Sequence, residues 1–304
     1  MHRKTAILCT VLLTLSAVSE VHALDAAGAK AVLVTGASSG IGRKITERLA
    51  ADGYFVYAGA RMDADLQALA AIRNVQPVRL DVTRPQDIEN AVTRITKAGR
   101  GLHGLVNNAG VAALGSFADM STADFDLMIA VNLYGPYRVT KAFAPLIAAQ
   151  KGRIITIGSI AGILAGKQLG PYAMSKHAIE AFTDSLAEEM APVGVQVSVI
   201  EPGSYNSDIA KNALRRQGLD PKSGDRTQFK DPDEVADAVE RALFEANPKR
   251  RYMVVPNQQE AERTIRKQIE QLVQLNEEQR YTYDREALTK MLDEALAGAR
   301  PRTQ

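Results

Sequence analysis

The sequence predicts an α/β fold, in which a doubly wound parallel sheet of about seven strands carries helices on both faces. Short apolar runs alternate with longer segments of helical periodicity along most of the 304-residue chain, which is typical of parallel strands joined by crossover helices. The runs are apolar throughout, as expected where both faces of a strand are buried. Glycine and polar residues follow several of the runs, at the edge where such sheets bind ligands.

The first strand and the turn after it organise the chain. Residues 31–34 are the apolar run AVLV, and glycines follow at positions 36, 40 and 42 as a helical segment begins. Glycine lets the backbone turn tightly and approach a ligand, because no Cβ stands in the way. The helix directs its free N–H groups and its positive dipole end at the same gap, which suits a pyrophosphate. The spacing Gly-x-x-x-Gly-x-Gly therefore indicates nucleotide binding, with a simple tight turn as the alternative.

The second strand, residues 54–60, bears on the choice of cofactor. An acidic residue at its end would bind the adenosine ribose and favour NAD, whereas an arginine would pair with a 2′-phosphate and favour NADP. Arg61 follows the strand directly, and Asp63 and Asp65 lie close enough to serve the ribose instead. The sequence therefore predicts NADP(H) as the preferred cofactor, with NAD(H) as the alternative.

The third and fourth strands, residues 76–80 and 103–106, also end in polar residues. Asp81 is placed to bond an adenine ring or, alternatively, to cap the helix that begins near Pro85. Residues 107–110, Asn-Asn-Ala-Gly, suit a turn with positive φ, and they equally suit joining neighbouring strands where the backbone nears a cofactor. Both places are candidate cofactor contacts.

A long helical region, residues 122–149, breaks near Gly135 and Pro136 and carries Asn132 in its middle. Asparagine is a poor helix former, so its position indicates a kink or a site, unless the side chain is simply exposed. Asn132 is therefore a candidate site residue.

Ser159 follows the fifth strand, residues 153–158, at the same sheet edge as the glycine turn. The next helix, residues 171–191, carries Tyr172 and Lys176, which are four positions apart and share one helical face. A serine at a strand end is often only a turn residue, but here we expect the three side chains to meet in one cleft.

The remaining core segments continue the alternation of strand and helix. The sixth strand, residues 195–200, ends in Glu-Pro-Gly at 201–203. A polar stretch at 205–230 reads as a mobile lid or loop, because it contains glycine and proline and lacks a periodic apolar pattern. A helix at 231–246 and a seventh strand at 252–255 complete the predicted sheet.

Taken together, these features resemble the short-chain dehydrogenase/reductase family of the Tyr-x-x-x-Lys type. The matching motifs occur in family order over residues 29–256: Thr35 to Gly42 (TGASSGIG), Asp81-Val82, Asn107 to Gly110, Asn132, Ser159, Tyr172 to Lys176 (YAMSK) and Pro202-Gly203. The branch of 17β-hydroxysteroid and retinol dehydrogenases is the most similar, through Ala60-Arg61, Ser175 to Ala178 and Ile200 to Gly203. The resemblance implies a Rossmann-like catalytic domain over 29–256, followed by a helical extension at 257–304.

The resemblance also implies a role for each polar side chain. Tyr172 would take the proton from an alcohol or give one to a carbonyl, and Lys176 would lower the pKa of its phenol and bond the nicotinamide ribose. Ser159 would hold the substrate oxygen, and Asn132 would hold a water that links Lys176 to solvent. The implied cofactor contacts are Thr35, Gly36, Ser38, Ser39, Gly40, Ile41, Gly42, Arg61, Asp81, Val82, Asn108, Ala109, Gly110, Tyr172, Lys176, Pro202, Gly203 and Ser207.

The predicted activity is therefore NAD(P)-dependent interconversion of a primary or secondary alcohol and its aldehyde or ketone. A small, apolar substrate that is steroid-, retinoid- or lipid-like is favoured by leucine and isoleucine near the expected pocket, unless these residues are ordinary core. They are Ile163, Leu164, Leu169, Leu214 and Leu219. The alternatives are a non-catalytic dinucleotide sensor and a related epimerase or dehydratase. The complete set Ser159, Tyr172 and Lys176 disfavours the first, and the glycine spacing disfavours the second.

Residues 1–23 have the layout of a secretory signal peptide. A basic start precedes an apolar run from Thr5 to Val18, and Val21-His22-Ala23 fits a small-x-small cleavage site. The run is shorter than the ~20 residues that span a bilayer. We expect export to the periplasm or outside the cell. The alternatives are an uncleaved membrane anchor and a cytoplasmic enzyme that starts further along the chain.

Composition and the C-terminal segment limit the partners. A net charge of +2 gives no case for nucleic-acid binding, and one cysteine with four scattered histidines predicts neither a disulfide framework nor a metal site. Ala261, Ile265, Ile269 and Leu272 form a helical stripe that indicates docking onto the core or a second subunit, with a pocket lid or a membrane-surface helix as alternatives. The family resemblance implies a homodimer or homotetramer.

Overall fold

A computed structural model describes residues 28–298 of the chain; the segment read as a signal peptide, residues 1–23, lies outside this part. Within the described residues, seven parallel strands form one sheet in the order β3-β2-β1-β4-β5-β6-β7. The strands are β1 (Ala31–Val34), β2 (Phe55–Ala60), β3 (Val75–Arg79), β4 (Gly104–Asn107), β5 (Arg153–Ile157), β6 (Gln196–Pro202) and β7 (Arg251–Val254). The predicted parallel α/β sheet is confirmed.

Helices fill the connections between the strands. They are α1 (Gly40–Ala51), α2 (Asp63–Ala70), α3 (Pro85–Ala98), α4 (Thr122–Ile129), α5 (Gly135–Ala149), α6 (Gly170–Met190), α7 (Ile209–Arg216), α8 (Asp233–Phe244), α9 (Gln258–Asn276) and α10 (Arg285–Gly298). A π-helical turn at Ala130–Tyr134 joins α4 to α5, and short 3-10 turns occur at Ile160–Gly162, Ala191–Val193 and Pro221–Gly224.

Both faces of the sheet are buried, which explains the continuous apolar runs. Val32 and Val34 belong to an apolar cluster that includes residues of α1 and α8. Leu33, between them in sequence, points to the other face and joins a cluster with residues of α3 and α5. Strand β1 is fully buried between these two layers.

The order of the strands reverses next to β1, because β1 pairs with β2 on one side and with β4 on the other. Connections from β1 and β4 leave in opposite directions at such a point, and a crevice opens beyond their carboxyl ends. The glycine turn after β1 and the segment after β4 therefore lie on the two sides of one crevice.

The stretch at 205–230 differs from the predicted loop, because it contains helix α7 and a 3-10 turn. Ala213 and Leu214 are buried on one side of α7, while the rest of the helix is polar. Gly218, which seemed to mark a flexible loop, adopts a φ of +70° just after the helix ends. The helix is too short, and its apolar face too narrow, to stand out in a polar stretch.

The described chain divides into two compact units, the first ending at Asn257 and the second beginning at Gln258. The second unit consists of α9 and α10. The predicted stripe is largely exposed, since Ile265, Ile269 and Leu272 are each at least half accessible. Among the described residues, no helix has the length and apolar character needed to cross a membrane.

Candidate active site

The turn after β1 depends on its glycines. Gly36 has a φ of +65° and Gly40 a φ of +53°, in the region that side chains other than glycine rarely adopt. A Cβ on Gly36 would come within 2.8 Å of the Ala109 Cα, and a Cβ on Gly42 would collide with the Asn108 side chain. The first turn of α1 therefore sits directly against the segment that follows β4.

The side chains of Thr35 and Asn108 form hydrogen bonds that hold this turn in place. The Thr35 hydroxyl is buried and accepts hydrogen bonds from the backbone N–H groups of Asn108 and Ala109, both at 3.0 Å. The Asn108 side-chain amide donates to the carbonyl oxygens of Thr35 at 2.9 Å and Gly36 at 3.0 Å. Both side chains, which the family resemblance places among the cofactor contacts, thus bond the protein's own backbone and set the shape of the turn.

The N-terminus of α1 fits the pyrophosphate that the sequence predicts there. Ser39 precedes the helix in an extended conformation and its side chain makes no capping hydrogen bond, and the first turn carries no acidic residue. Its N–H groups and dipole are therefore available to an anion. Ser207 lies across the same turn, because a Cβ added to Gly40 would be 3.4 Å from the Ser207 Cβ. Ser38 and Ile41, also at this turn, are half-buried.

The end of β2 presents cations. Arg61 is exposed directly after the strand. Arg79, at the end of neighbouring β3, forms an ion pair with Asp63 and donates to the Arg61 carbonyl oxygen. Asp63, one of the two acidic alternatives for binding a ribose, is thus held by Arg79. Sequence reasoning missed Arg79 because only the pairing of β2 with β3 brings it here.

Asp81 makes local bonds. Its Oδ1 accepts from the backbone N–H of Thr83 at 2.9 Å and from the Thr83 hydroxyl at 2.6 Å. Its own N–H donates to Asp87 Oδ2 at 3.1 Å. These bonds form a local turn before α3, whose first residue is preceded by Arg84 without a side-chain capping bond, so Asp81 does not cap the helix; its bonding to an adenine ring stays a prediction. Val82 is buried, and its side chain occupies the space left by the missing Cβ of Gly135.

Asn132 lies in the π-helical turn between α4 and α5 and is 2% exposed. Its Oδ1 accepts from the Val111 N–H at 2.8 Å, and its Nδ2 donates to the Val111 carbonyl at 2.8 Å and to the Ser175 hydroxyl at 3.1 Å. The kink expected from an asparagine within a helix is present, and π-turns of this kind are frequent at functional sites. Both donor positions of the Asn132 amide are thus occupied by protein groups, and Oδ1 keeps one further acceptor position.

Ser159, Tyr172 and Lys176 meet where β5 ends. The Ser159 hydroxyl lies 3.4 Å from the Pro202 carbonyl oxygen and within hydrogen-bonding reach of the Tyr172 side chain, and its single proton serves one of the two. The Lys176 Nζ donates to the Ile157 carbonyl at 2.9 Å and lies 5.8 Å from the centre of the Tyr172 ring. The i, i+4 spacing on α6 and the strand end thus bring the three predicted side chains to one place.

Burial dominates the protonation of this group. It raises the pKa of Tyr172 above its usual value, while the hydrogen bond from Ser159 and the charge of Arg226 lower it by less. Burial also lowers the pKa of Lys176 to about 8, against the opposing charge of Glu180. The sequence argument expects the charge of Lys176 to lower the phenol pKa. The net shift in the structure is upward, because removal from water outweighs the charge of Arg226, and the effect of Lys176 stays a prediction.

The apolar residues proposed for the pocket separate into two groups. Leu214 is buried and packs against Gly224, so it anchors α7 to the following 3-10 turn and is ordinary core. Leu169 and Leu219 are 37% and 53% exposed, and Ile163 and Leu164 are half-buried. These four remain candidates for a substrate surface.

The C-terminal end of α7 is held by hydrogen bonds that cannot be predicted from the sequence. Gln217 accepts from the Leu114 N–H at 3.1 Å and donates to the Leu114 carbonyl at 2.7 Å. Arg216 donates to the Ala112 carbonyl. The predicted lid is therefore attached to the segment that continues from exposed Gly110. No sequence signal identifies these partners, because they lie about a hundred positions apart.

Ser175 and the residues at the end of β6 form the remaining surroundings of the candidate active site. Ser175, fully buried, accepts from Asn132 and donates to the Tyr172 carbonyl at 2.7 Å, which links the π-turn to α6. Gly203 donates its N–H to the Val254 carbonyl at 2.8 Å, which fixes the chain beyond Pro202. Among the described residues, no cluster of His, Cys, Asp and Glu has the arrangement of a metal site.

Comparison with known proteins gives a consistent result. A family model described as "short chain dehydrogenase" matches residues 30–218. Mitochondrial D-beta-hydroxybutyrate dehydrogenase from Mus musculus is 38% identical over 191 residues, which is 60% of this chain and 56% of that protein. Retinol dehydrogenase 5 from Mus musculus is 40% identical over 184 residues, 59% of this chain and 57% of that protein. The match thus spans little more than half the length of these relatives.

Solved structures share the fold. An alcohol dehydrogenase from the archaeon Thermococcus sibiricus, complexed with 5-hydroxy-NADP, superimposes with a TM-score of 0.65 at 26% identity. The superposition covers 74% of this chain and 95% of the archaeal one.

Proposed function

The chain belongs to the short-chain dehydrogenase family, and from this premise we propose that it is an NADP-preferring oxidoreductase that interconverts an alcohol and its aldehyde or ketone. One observation carries the proposal: Ser159, Tyr172 and Lys176 converge where β5 ends, at the edge of the sheet that also carries the glycine turn. A non-catalytic sensor has no use for this convergence.

The residues divide the work as follows. The N-terminus of α1 and Ser207 would hold the phosphates, and Lys176 would hold the nicotinamide ribose. Bound NADP(H) supplies the hydride donor or acceptor. The Tyr172 hydroxyl gives its proton to a carbonyl oxygen in reduction, or takes the alcohol proton in oxidation. Ser159 donates a hydrogen bond to the same oxygen as its charge changes.

The raised pKa of Tyr172 keeps its hydroxyl protonated at neutral pH, which is the form that reduction uses. A phenol that keeps its proton at neutral pH is ready to act as the acid for a carbonyl, whereas oxidation first requires its removal. Lys176, with a pKa of about 8, is mostly charged at neutral pH and stabilises the phenolate left behind.

NADP preference rests on two cations, Arg61 after the end of β2 and Arg79 at the end of β3. Arg61 is exposed there, and Arg79 holds the acidic alternative Asp63. In Arg61→Asp the new carboxylate repels a 2′-phosphate, so we expect kcat/KM with NADPH to fall about 100-fold, with a smaller change for NADH. The matched control is Arg73→Asp, an exposed change beyond α2. Initial rates with both nucleotides test the proposal, and an NADH preference in the wild type overturns it.

An apolar substrate is favoured by the rim of the site. Phe117 is 64% exposed and packs against Gly170 at the start of α6, and Leu169 and Met174 are exposed beside it. Exposed apolar side chains close together are typical of surfaces that bind an apolar ligand. We therefore expect turnover of aliphatic, retinoid or steroid carbonyls rather than sugars.

A hydroxy acid is a second candidate, and Arg226 favours it. Its charge reaches the Tyr172 hydroxyl strongly enough to lower the phenol pKa. No carboxylate of residues 28–298 forms an ion pair with it; it stacks on the Phe229 ring instead. A substrate carboxylate would supply the missing anion. The relative named D-beta-hydroxybutyrate dehydrogenase makes this class worth testing.

The two candidates are separated by Arg226→Gln. For a 3-oxo acid we expect KM to rise about 10-fold or more in this variant, because an ion pair is lost. For a neutral ketone of similar size KM should stay near the wild-type value. If neither substrate class responds, Arg226 has no part in recognition.

We also propose a homodimer or homotetramer formed through α4, α5 and α6. Tyr134 and Tyr137, in and after the π-turn, are both 50% exposed and lie on this surface. Light scattering of the wild type and of Tyr137→Glu tests the proposal. A monomeric wild type contradicts it.

Export remains our proposal for residues 1–23. The mature N-terminus, read by mass spectrometry from cells, separates the three outcomes. A start near Leu24 supports cleavage, an intact segment in the membrane fraction supports an anchor, and a soluble chain starting further along supports a cytoplasmic enzyme.

A further inference from the structure

A group of charged side chains lies beneath the Ser159 turn and takes no part in the proposed reaction. Glu201, at the end of β6, is 3% exposed. Glu180, on α6, follows Lys176 by one helical turn and its side chain is 16% exposed. Arg251, at the start of β7, donates from Nε to Glu180 Oε2 at 3.0 Å and lies 3.8 Å from Glu201 Oε1.

The two carboxyl groups lie together, and each has a buried oxygen atom without a hydrogen-bond partner among the described residues. They lie within hydrogen-bonding reach of each other. The Oε1 atoms of both are buried and accept no hydrogen bond from any group in the described part of the chain. Two ionised carboxylates offer only acceptors, so this contact would be repulsive. A single proton between them turns it into a hydrogen bond that satisfies both atoms.

The charges around the pair agree with one retained proton. Lys176 and Asp184 face it from α6 and Arg251 faces it from β7. The Ser159 turn brings no titratable side chain, and the single one of β5, Arg153, lies at the opposite end of the strand, where it pairs with Gln196. Burial, followed by the charge of Glu180, raises the pKa of Glu201 to about 8. Burial also raises the pKa of Glu180, against the charge of Arg251. With one proton kept, one carboxylate charge remains beside the guanidinium.

The pair touches the parts of the backbone that carry Ser159 and Lys176. A Cβ on Gly162 would be 3.0 Å from Glu180 Oε1, and a Cβ on Gly158 would be 3.4 Å from the same atom. These glycines flank the turn that begins at Ser159. Glu180 therefore fits into a space that only glycine leaves open, between β5, β6 and α6.

We propose that Glu180 and Glu201 are positioning residues that share one proton. Arg251 pairs with their remaining negative charge, and the two side chains support the Ser159 turn and the turn of α6 that carries Lys176. Neither carboxyl group touches the reacting atoms. The inference rests on the proposed function, because Ser159 and Lys176 act only in that reaction.

The first test is independent of activity and uses Glu201→Gln in the full chain. The glutamine keeps the shape and its amide donates to Glu180, as the shared proton does. In the wild type the folded state keeps a proton that the unfolded state releases, so stability falls as pH rises from about 4.5 to about 8. In Glu201→Gln this fall should be largely absent, and the Tm should exceed the wild-type Tm at pH 8.

A matched control is Glu188→Gln, which neutralises an exposed carboxylate that pairs with Arg250. It should leave the wild-type pH dependence of Tm in place. Equal slopes for wild type and Glu201→Gln would overturn proton sharing. A Glu201→Gln protein that does not fold at any pH would also overturn it, because the amide should satisfy the contact that the proton satisfies.

The second test asks whether the pair positions the reacting groups. Above about pH 8 the wild-type pair gains a second charge that keeps Lys176 protonated, and Glu201→Gln lacks this charge. The alkaline limb of kcat should therefore move about one pH unit towards acid in the variant, with little change in KM. An unmoved limb, together with the altered Tm profile, rejects the positioning role alone. A wild type without any turnover rejects the proposed function and leaves the first test valid.

Discussion

At the scale of single residues, the Tyr172 hydroxyl shows how environment decides chemistry. Its neighbours in sequence favour a lowered pKa, since Lys176 is one helical turn away. Its neighbours in space remove water from it, and the net pKa is raised. The same side chain is therefore an acid at rest, and it needs a further positive charge to become an efficient base.

The first prediction concerns Tyr172→Phe. The variant keeps the ring and loses the proton donor, so kcat/KM should fall about 1,000-fold, within the range of general acid catalysis. Initial-rate kinetics measure the change, and NADPH affinity and Tm should stay close to the wild type. Tyr281→Phe, a change at a tyrosine that is 67% exposed, serves as control. Residual activity within tenfold of wild type would place the proton donor elsewhere.

Single site residues can be predicted from the sequence when the number of positions between two of them shows that their side chains lie close together. Tyr172 and Lys176 are recognisable because four positions make one helical face. Ser175, between them, is equally buried in the site, but its partner Asn132 lies 43 positions away. Arg226 is similar, since its proximity to Tyr172 arises only from the folding of the segment after α7. Such pairings need the three-dimensional structure.

At the scale of elements, the π-helical turn is the joint between α4 and α5. Its extra residue places Asn132 inward, where the side chain bonds both backbone groups of Val111 and the Ser175 hydroxyl. The turn thus ties the segment after β4 to the helix that carries Tyr172.

We expect Asn132→Ala to lower the free energy of unfolding by about 2–3 kcal/mol, because it leaves buried donors and acceptors without partners. Urea denaturation measures this. Asn90→Ala, on the exposed face of α3, should change the value by less than about 0.5 kcal/mol. A change as small in Asn132→Ala would show that the three bonds contribute little.

The glycine turn leads to a prediction about binding. Gly42→Ala places a methyl group against the Asn108 amide and the Gly36 carbonyl, so the turn must move away from the cofactor. The Kd for NADPH, followed by its fluorescence, should rise about 10-fold or more, a loss of about 1.4 kcal/mol or more. Gly166→Ala, where a Cβ meets nothing within 4 Å, is the matched control. Equal affinities would mean that the turn tolerates a side chain.

The elements themselves were predictable to different degrees. The strand Ala31–Val34 matches the apolar run because burial on both faces leaves a continuous signal. Helix α7 was missed because only Ala213 and Leu214 are buried in it. Strand ends shifted by one or two residues, since pairing with a neighbour decides where a strand stops.

At the scale of the whole molecule, two buried groups act on stability in opposite directions. Burial lowers the pKa of His103, which joins the start of β4 to Leu243 at the end of α8. The unfolded chain therefore takes up a proton that the folded state resists, and stability falls as pH drops below about 6.5. Glu201 makes stability fall as pH rises. The two effects oppose each other below about pH 6.5, and above it the effect of Glu201 alone lowers the stability as the pH rises.

His103→Gln tests the acidic side of this balance. The amide can still donate to Leu243 without titrating, so lowering the pH from 7 to 5 should change the Tm less unfavourably in the variant than in the wild type. Thermal unfolding followed by circular dichroism gives the values. Above about pH 7.5 both proteins should differ by a constant amount, because the histidine is neutral in both states. An equal change of Tm in the two proteins would show that His103 does not contribute to the pH dependence.

The position of β1 has a consequence for how the chain reaches this structure. β1 pairs with β2, which follows it in sequence, and also with β4, in a register that places Val32 opposite Gly104. The second pairing closes a long loop, which makes folding slow compared with proteins of local topology. Until β4 has been synthesised, one side of β1 offers unpaired backbone groups to other chains. Refolding yield should therefore decline as protein concentration rises.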